Sequence, residues 1–324
     1  MRRVLIGHMD CAVGRRLVKA LYHDPDVALV FGLGSGPTPS FLEPYQEKCF
    51  YQRLDLAKAR HLTGFLGSER FARARFDSLI LLPFGQENAA ERIPGKVPAL
   101  VSETRRLLEA ARRDPRIERF VMLSSAFVYS PEPGNVNMMA EEEPLSFAAD
   151  GDSRVRAWID ADLLCQNELK GPELCMTILR APAIVTEAGE LLHCPPLEYG
   201  TIPLGYDPMI SVISDRDAAR ALMLALHSDQ PGVYNVAGRE IFPASELLRP
   251  ARFGPLPLPR SLFGAVALVS QTLGRGRQQA HDYQRYGVVL DTSRAREALG
   301  FEPQYRVELR GRGGERQLDT VRYR

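Results

Sequence analysis

The sequence predicts an α/β protein built on a doubly wound parallel sheet, with a smaller C-terminal lobe. Three observations predict it. Short apolar strand candidates alternate with amphipathic helices through the first half of the chain. One candidate, FDSLILL at 76–82, is nearly all apolar, as a strand covered on both faces must be. The opening strand runs through a tight turn into a helix whose start carries Gly14. A βαβ series of this kind implies parallel strands joined by right-handed crossovers.

The elements follow in order. Residues 4–6 are the first strand, and Leu17, Val18 and Leu21 share one face of the helix behind it. Residues 27–32 (VALVFG), 50–56 (FYQRLDL) and 76–82 are the next strands. Residues 97–113 are helical, with Val101, Leu107, Leu108 and Ala111 recurring at helical spacing. A strand at 120–123 leads into SSAFVYS, a helix spans 153–169, and a strand spans 174–179. Residues 192–208 are rich in Pro, Gly and Tyr and read as loop. A helix returns at 215–227 and a strand at 232–236. Residues 291–300 read as a capped helix, with Asp291 and Ser293 as cap candidates and Gly300 as its stop. This divides the chain into a core at 1–187, rejoined by 210–238, and a lobe at 188–209 and 239–309. Residues 310–324, polar and rich in Gly and Arg, read as a mobile tail.

Composition narrows the function classes. The 324 residues are 45% hydrophobic and 25% charged, with a formal net charge of +1. No general attraction to nucleic acid follows from that balance. Cys11, Cys49, Cys165, Cys175 and Cys194 form neither a zinc pattern nor a disulfide framework, so a reducing cytoplasm is the simplest compartment. No signal peptide precedes the first strand. No apolar run reaches the roughly 18 residues of a membrane span. The apolar stretch 262–273 (LFGAVALVSQTL), flanked by Arg260, Arg275 and Arg277, carries a weak membrane-surface pattern. Packing in the lobe or on a dimer face is the preferred reading of it.

The pieces resemble the extended short-chain dehydrogenase/reductases, the NAD-dependent epimerase/dehydratase group. The resemblance runs from residue 4 to about residue 305. It rests on the strand–turn–helix at Gly14, LDL at 54–56, FDSLILL, RFVMLSSAFVYS, TILRAPAIV, ISDRDAARALMLAL, GVYNVAG and DTSRAREALGFEP, in that order. The resemblance implies a Rossmann-like core, an NAD or NADP cofactor and a proton-transferring Tyr–Lys pair.

The residues depart from that pattern where the cofactor and the chemistry belong. The glycine-rich turn lets the backbone approach a pyrophosphate on the helix N-terminus. Here, after Gly7, His8 and Cys11 stand where the first two fingerprint glycines would fall, and only Gly14 remains. Asp10 adds negative charge to the same turn. Gly34 replaces the acid that would hold the adenosine ribose, and Pro83 and Phe84 replace an alanine pair. No Asn stands near Leu100. The resemblance places Arg154 at the Tyr position and Trp158 at the Lys position, two residues with three between them. A guanidinium stays protonated and is no acid–base group near neutrality. Ser125 of the catalytic set remains and could polarise a substrate carbonyl, and Tyr129 is the candidate replacement acid; the preferred reading has Ser125 capping a strand end and Tyr129 packing near the cofactor site. His8 reads as an exposed loop residue or a phosphate contact, Cys11 as a packed small residue or a thiol activated by the helix N-terminus. Arg15 and Arg16 would favour a 2′-phosphate if a coenzyme bound. Asp160 and Asp162 face different directions, and Arg180 and Asp217 read as scaffold ion-pair candidates.

The expectation is a short-chain dehydrogenase/reductase-like protein that has lost redox catalysis and acts by binding, as a subunit, assembly factor or regulator. No cofactor is expected, and a protein partner or a homodimer is. The alternative is an atypical NAD(P)-dependent epimerase, dehydratase or reductase working through Ser125, Tyr129, His8 or the lobe.

Overall fold

The computed structural model describes residues 1–82, 99–130, 138–147, 153–171, 173–194, 197, 201–248, 256–258, 286–312 and 315–323. Pro83, Phe84 and residues 262–273 lie outside the described residues.

The core contains β1 (Arg2–Gly7), α1 (Ala12–His23), β2 (Val27–Gly34), β3 (Cys49–Arg53), α2 (Ala59–Leu66), α3 (Glu69–Ala74), β4 (Ser78–Leu81), α4 (Ala99–Arg113), β5 (Arg119–Ser125), α5 (Ser153–Glu168) and β6 (Cys175–Ala181). The chain then runs through β7 (Ala183–Val185), β8 (Leu191–Leu192), β9 (Thr201–Pro203), β10 (Met209–Ser214), α6 (Asp215–His227) and β11 (Gly232–Asn235). It ends with β12 (Ile241–Pro243), α7 (Ala244–Leu248), β13 (Leu256–Leu258), α8 (Ser293–Leu299), β14 (Tyr305–Arg312) and β15 (Glu315–Arg322).

Seven strands form one parallel sheet in the order β3-β2-β1-β4-β5-β6-β11. Winding reverses between β1 and β4, as the doubly wound reading requires. One face is packed by Leu17, Val18 and Leu21 of α1 and Leu222 of α6. The other is packed by Leu62 of α2, Leu107 and Leu108 of α4, and Ala161 and Cys165 of α5. All four residues of β4 are buried, which is why all but Ser78 are apolar.

The third strand is shorter than its sequence suggests. β2 ends at Gly34, which pairs with Arg53, so residues 54–56 have no further strand beside them. Leu54 and Leu56 instead turn into the core around Phe65. Helix α8 stops where expected, at Gly300 with φ 66°. Its N-cap is Thr292, and Asp291 accepts a bond from the Ser293 N–H at 2.9 Å.

The lobe carries a sheet in the order β12-β10-β7-β8, the short pair β13-β9 and the hairpin β14-β15. That hairpin corrects the expectation of a mobile tail. The strands pair from Tyr305↔Arg322 to Arg312↔Glu315. Asp217 holds the base of the hairpin by accepting the N–H groups of Gln304 and Tyr305 at 2.8 and 2.9 Å. Val307 and Leu318 are buried in the lobe core. Apolar residues alternating with charges mark a half-buried strand here, not a solvated tail. Among the described residues Asp217 has no ion-pair partner within bonding distance, and its other side-chain partner is the Ser214 hydroxyl. Among the described residues, no helix is long and apolar enough to cross a membrane.

Candidate functional site

In open sheets of this order, ligands lie beyond the C-terminal strand ends at the reversal point. Here that is the cleft above Gly7, Gly34 and Ser125.

The first wall is the turn after β1. Its geometry is set by Met9, whose N–H donates to Leu33 O at 3.0 Å and whose side chain lies buried against Gly32. His8 adopts the left-handed conformation with φ 59°, uncommon for a residue with a Cβ. It is not an exposed loop residue: its side chain is 15% exposed, and Nε2 lies 2.8 Å from Glu103 Oε2. Glu103, on α4, is 2% exposed. Its Oε1 has no hydrogen-bond partner among the described residues and would stand 3.2 Å from a Cβ added at Gly7. The sequence reading missed Glu103. The signal was there, an acid at helical spacing between Leu100 and Leu107 on the buried face.

Cys11 caps α1, its Sγ accepting the Gly14 N–H at 3.3 Å. That N–H is one a helix N-terminus would offer to an anion. Burial, reinforced by the Asp10 charge, pushes the Cys11 thiol up to about 12. That direction favours the packed-residue reading of Cys11 over the activated thiol: desolvation outweighs the lowering by the backbone N–H of Gly14.

Asp10 reaches the end of β2. Its Oδ2 accepts the Gly36 N–H at 3.0 Å, and the Tyr51 hydroxyl lies 3.4 Å away. A Cβ at Gly34 would collide with Asp10 Oδ1 and stand 2.6 Å from the Tyr51 hydroxyl. Gly34 lacks the acid of the family pattern, and the adjoining turn puts a carboxylate into that space. Arg16 is engaged elsewhere, by Asp215 at 3.0 Å and by Glu187.

The second wall lies above β5. Ser125 is buried, and its Oγ accepts the Phe127 N–H at 3.1 Å, capping a 3-10 turn over Ala126–Val128. Tyr129 is also fully buried. Its hydroxyl donates to Asn235 Oδ1 at 2.6 Å, and the Arg180 guanidinium lies 4.8 Å from its ring centroid. Burial raises the Tyr129 hydroxyl to about 12, against the lowering effect of Arg180. Arg180 in turn grips both oxygens of Asp162, at 3.1 and 2.9 Å, so one scaffold ion pair is present. Asp160, two residues earlier, points away to Arg156 at 3.5 Å.

Trp158 is buried, and its ring packs on His193, centroids 4.1 Å apart. His193 was not singled out from sequence: the loop-rich stretch around it has no periodicity to read. It is left-handed at φ 62°. Burial first, and then the Arg154 charge, lower its pKa to about 3, with a hydrogen bond to the Ser124 backbone working the other way. Arg154, Trp158 and His193 thus meet at the end of β5, and Ser125 lies in the same region. His8 and Glu103 meet at β1, and Asp10 meets Gly34 at β2.

This gives a pH prediction. The unfolded His193 titrates near 6.5, whereas the folded ring stays neutral to about 3. Its neutral-state stability is present above pH 6.5 and is lost as pH falls through that window. Between pH 7 and 4.5 the loss from this group is about 2.5 kcal/mol. His193→Asn, which tolerates the left-handed backbone and does not titrate, should flatten the urea-midpoint profile by that amount.

The sequence and structure comparisons place this geometry. No family model matches the chain. An uncharacterised protein of Mycobacterium tuberculosis and its counterpart in Mycobacterium bovis are 27% identical over 239 residues, 67% of this chain. The matched region spans 61% of those relatives. Among solved structures, a dTDP-glucose 4,6-dehydratase from Streptomyces venezuelae with NAD bound superposes with TM-score 0.67 at 20% identity, over 94% of this chain and 92% of that one. A UDP-glucose 4-epimerase from Thermotoga maritima gives 0.66 at 14%, over 94% of each. A short-chain dehydrogenase/reductase superfamily protein from Agrobacterium tumefaciens with bound NAD gives 0.64 at 18%, over 94% and 93%. The chain has the Rossmann-like fold of the extended short-chain dehydrogenase/reductases.

A dinucleotide tests that fold against these residues. Its pyrophosphate would lie at the α1 N-terminus, beside the Glu103 carboxylate and the His8 side chain, with the Gly14 N–H already accepted by Cys11. Cys11, His8 and Glu103 thus occupy the phosphate end of the cleft.

Proposed function

We propose that this protein acts by binding, as a subunit, assembly factor or regulator, and not by nicotinamide-dependent redox catalysis. The observation that carries the proposal is the filling of the phosphate turn from within. Cys11 holds the helix N–H, and the buried Glu103 carboxylate, bonded to His8, stands beside Gly7. Arg154 and Trp158 at the Tyr and Lys positions support the same reading, as does the burial of Ser125 and Tyr129. A proton donor must reach the reacting atom.

Calorimetric titration with NAD, NADH, NADP and NADPH tests it. No binding is expected for any of the four up to about 1 mM, a free energy weaker than about 4 kcal/mol. Low-micromolar affinity for one of them overturns the proposal.

One observation favours the second reading, an atypical NAD(P)-dependent enzyme. Asp10 supplies a carboxylate beside Gly34, close to where the family's ribose-binding acid would stand. On that reading a coenzyme enters by another path, and nucleotide sugars like those named for the structural neighbours are the substrates to try. Asp10→Asn would then weaken the coenzyme titration. On the binding reading it changes nothing in that titration.

A further inference from the structure

We infer that the outer edge of β3 is a docking site for an extended acidic peptide from a partner protein. β3 ends the seven-stranded sheet, and among the described residues no strand pairs with its outer side. An open strand edge is a template for one more strand. Two recesses adjoin this edge. One, of ≈ 750 Å³, is lined by Gln52, Arg53, Lys58, Arg60 and Arg70 among others. The second, of ≈ 720 Å³, is lined by Phe50, Tyr51, Arg70 and Arg73 among others. Arg70 is their shared wall, fixed by a bond from Nη1 to Gln52 Oε1 at 3.0 Å. Phe50, the second residue of the strand, is 46% exposed.

The charge balance identifies the occupant. The two acids lining these recesses are already paired, Asp55 with Lys58 at 3.2 Å and Glu69 with Arg73. Among the described residues, Arg53 donates to the Ser35 carbonyl alone, and Arg70 to Gln52 alone. Arg60 faces no carboxylate within ion-pair distance among the described residues. Among the described residues, then, three cations without an acidic partner line the first recess, and one of them, Arg70, also stands with the exposed Phe50 in the second. Edge cations also discourage self-association. That role explains the charges and leaves the paired recesses without a purpose. A second copy of this chain would bring the same arginines face to face, which disfavours it as occupant. An acidic strand satisfies the main-chain groups of β3 and places alternate side chains against the arginines and Phe50.

The probe is a fluorescent peptide of about eight residues, alternating Glu and Val, with a Lys–Val peptide as control. Anisotropy is read at about 25 mM and about 200 mM salt. The expected result is binding of the acidic peptide alone, weakening with salt, and weakened at least about tenfold in Arg53→Glu/Arg70→Glu. Both arginines are exposed, so the thermal midpoint of that variant should match the wild type. Amide exchange over 50–53 in the wild type should slow when the peptide is added, a readout that needs no variant. Absence of binding at low salt, equal binding of the basic peptide, or unchanged affinity in the variant overturns the inference. Wild-type self-association abolished by the same two substitutions assigns the edge to a second copy, and overturns it too.

Discussion

Arg180→Met is expected to destabilise the protein by about 3–5 kcal/mol, the usual effect of removing one member of a buried ion pair. Arg180 is 1% exposed and Asp162 is 0% exposed. The guanidinium does three things at once. It grips both Asp162 oxygens, donates to the Glu141 carbonyl at 3.2 Å, and lies over the Tyr129 ring. Without it, Asp162 keeps only the Ser124 hydroxyl at 2.7 Å and the Gln166 amide at 2.7 Å. Two neutral donors do not replace a cation in that interior, so the carboxylate must protonate or draw in water. The penalty is the orphaned charge and not the net worth of the pair. Asp162→Leu/Arg180→Met should therefore recover much of the loss, because a well-packed apolar pair needs no compensation. Urea denaturation of the wild type, the single variant and the double variant separates these terms. A single-variant loss below about 1 kcal/mol would show that the network tolerates the charge, contrary to this account.

The same network explains what could and could not be read from the sequence. The Rossmann-like core was legible because its signals are local and repeated: FDSLILL is nearly all apolar since β4 is buried on both faces, and Leu17, Val18 and Leu21 recur because α1 has one buried side. Arg180 and Asp162 were visible as residues, yet their partnership joins β6 to α5 across 18 positions and has no periodic trace. Glu103 was hidden for a different reason. An acid on an apolar helical stripe reads as noise until its partner His8, 95 residues earlier, is brought beside it. His193 came from a loop with no pattern at all. The hairpin at 305–322 was lost because a strand half-exposed to solvent spends its outward positions on charge, and composition then imitates a tail. Side chains that alternate carry the signal there, and charge density masks it. The departures at the cofactor turn were legible as single substitutions. Their consequence, a turn satisfied by its own Cys11, Asp10 and Glu103, needed coordinates.

Gly14→Ala is expected to cost about 1–3 kcal/mol or more, the range for forcing atoms into a packed interior. A Cβ at Gly14 would stand 2.8 Å from the Met9 carbonyl carbon and closer still to its oxygen. Met9 has nowhere to retreat. Its N–H is held by Leu33, and a Cβ at Gly32 would lie 2.8 Å from its own Cβ. The turn is thus clamped between α1 and β2, and Gly14 is the residue that lets helix and strand approach. A shift large enough to admit alanine would also strain the Cys11 cap on the Gly14 N–H. Gly64 on α2 is the control, since a Cβ there meets nothing within 4 Å. Gly64→Ala should stabilise by about 0.4–1 kcal/mol, through the lost freedom of the unfolded chain. Opposite shifts in the two urea midpoints are the expected result. A neutral Gly14→Ala would mean that the glycine is not there for packing, and phosphate contact would again be its best explanation. If the shifts have the expected signs, the pattern of the turn is accounted for. In this chain the position that joins helix to strand is glycine, while His8 and Cys11 stand at the two where the resemblance expects glycines to open space for a coenzyme. A fold can keep its shape under that division because the packing demand on Gly14 acts whether or not anything lies in the cleft.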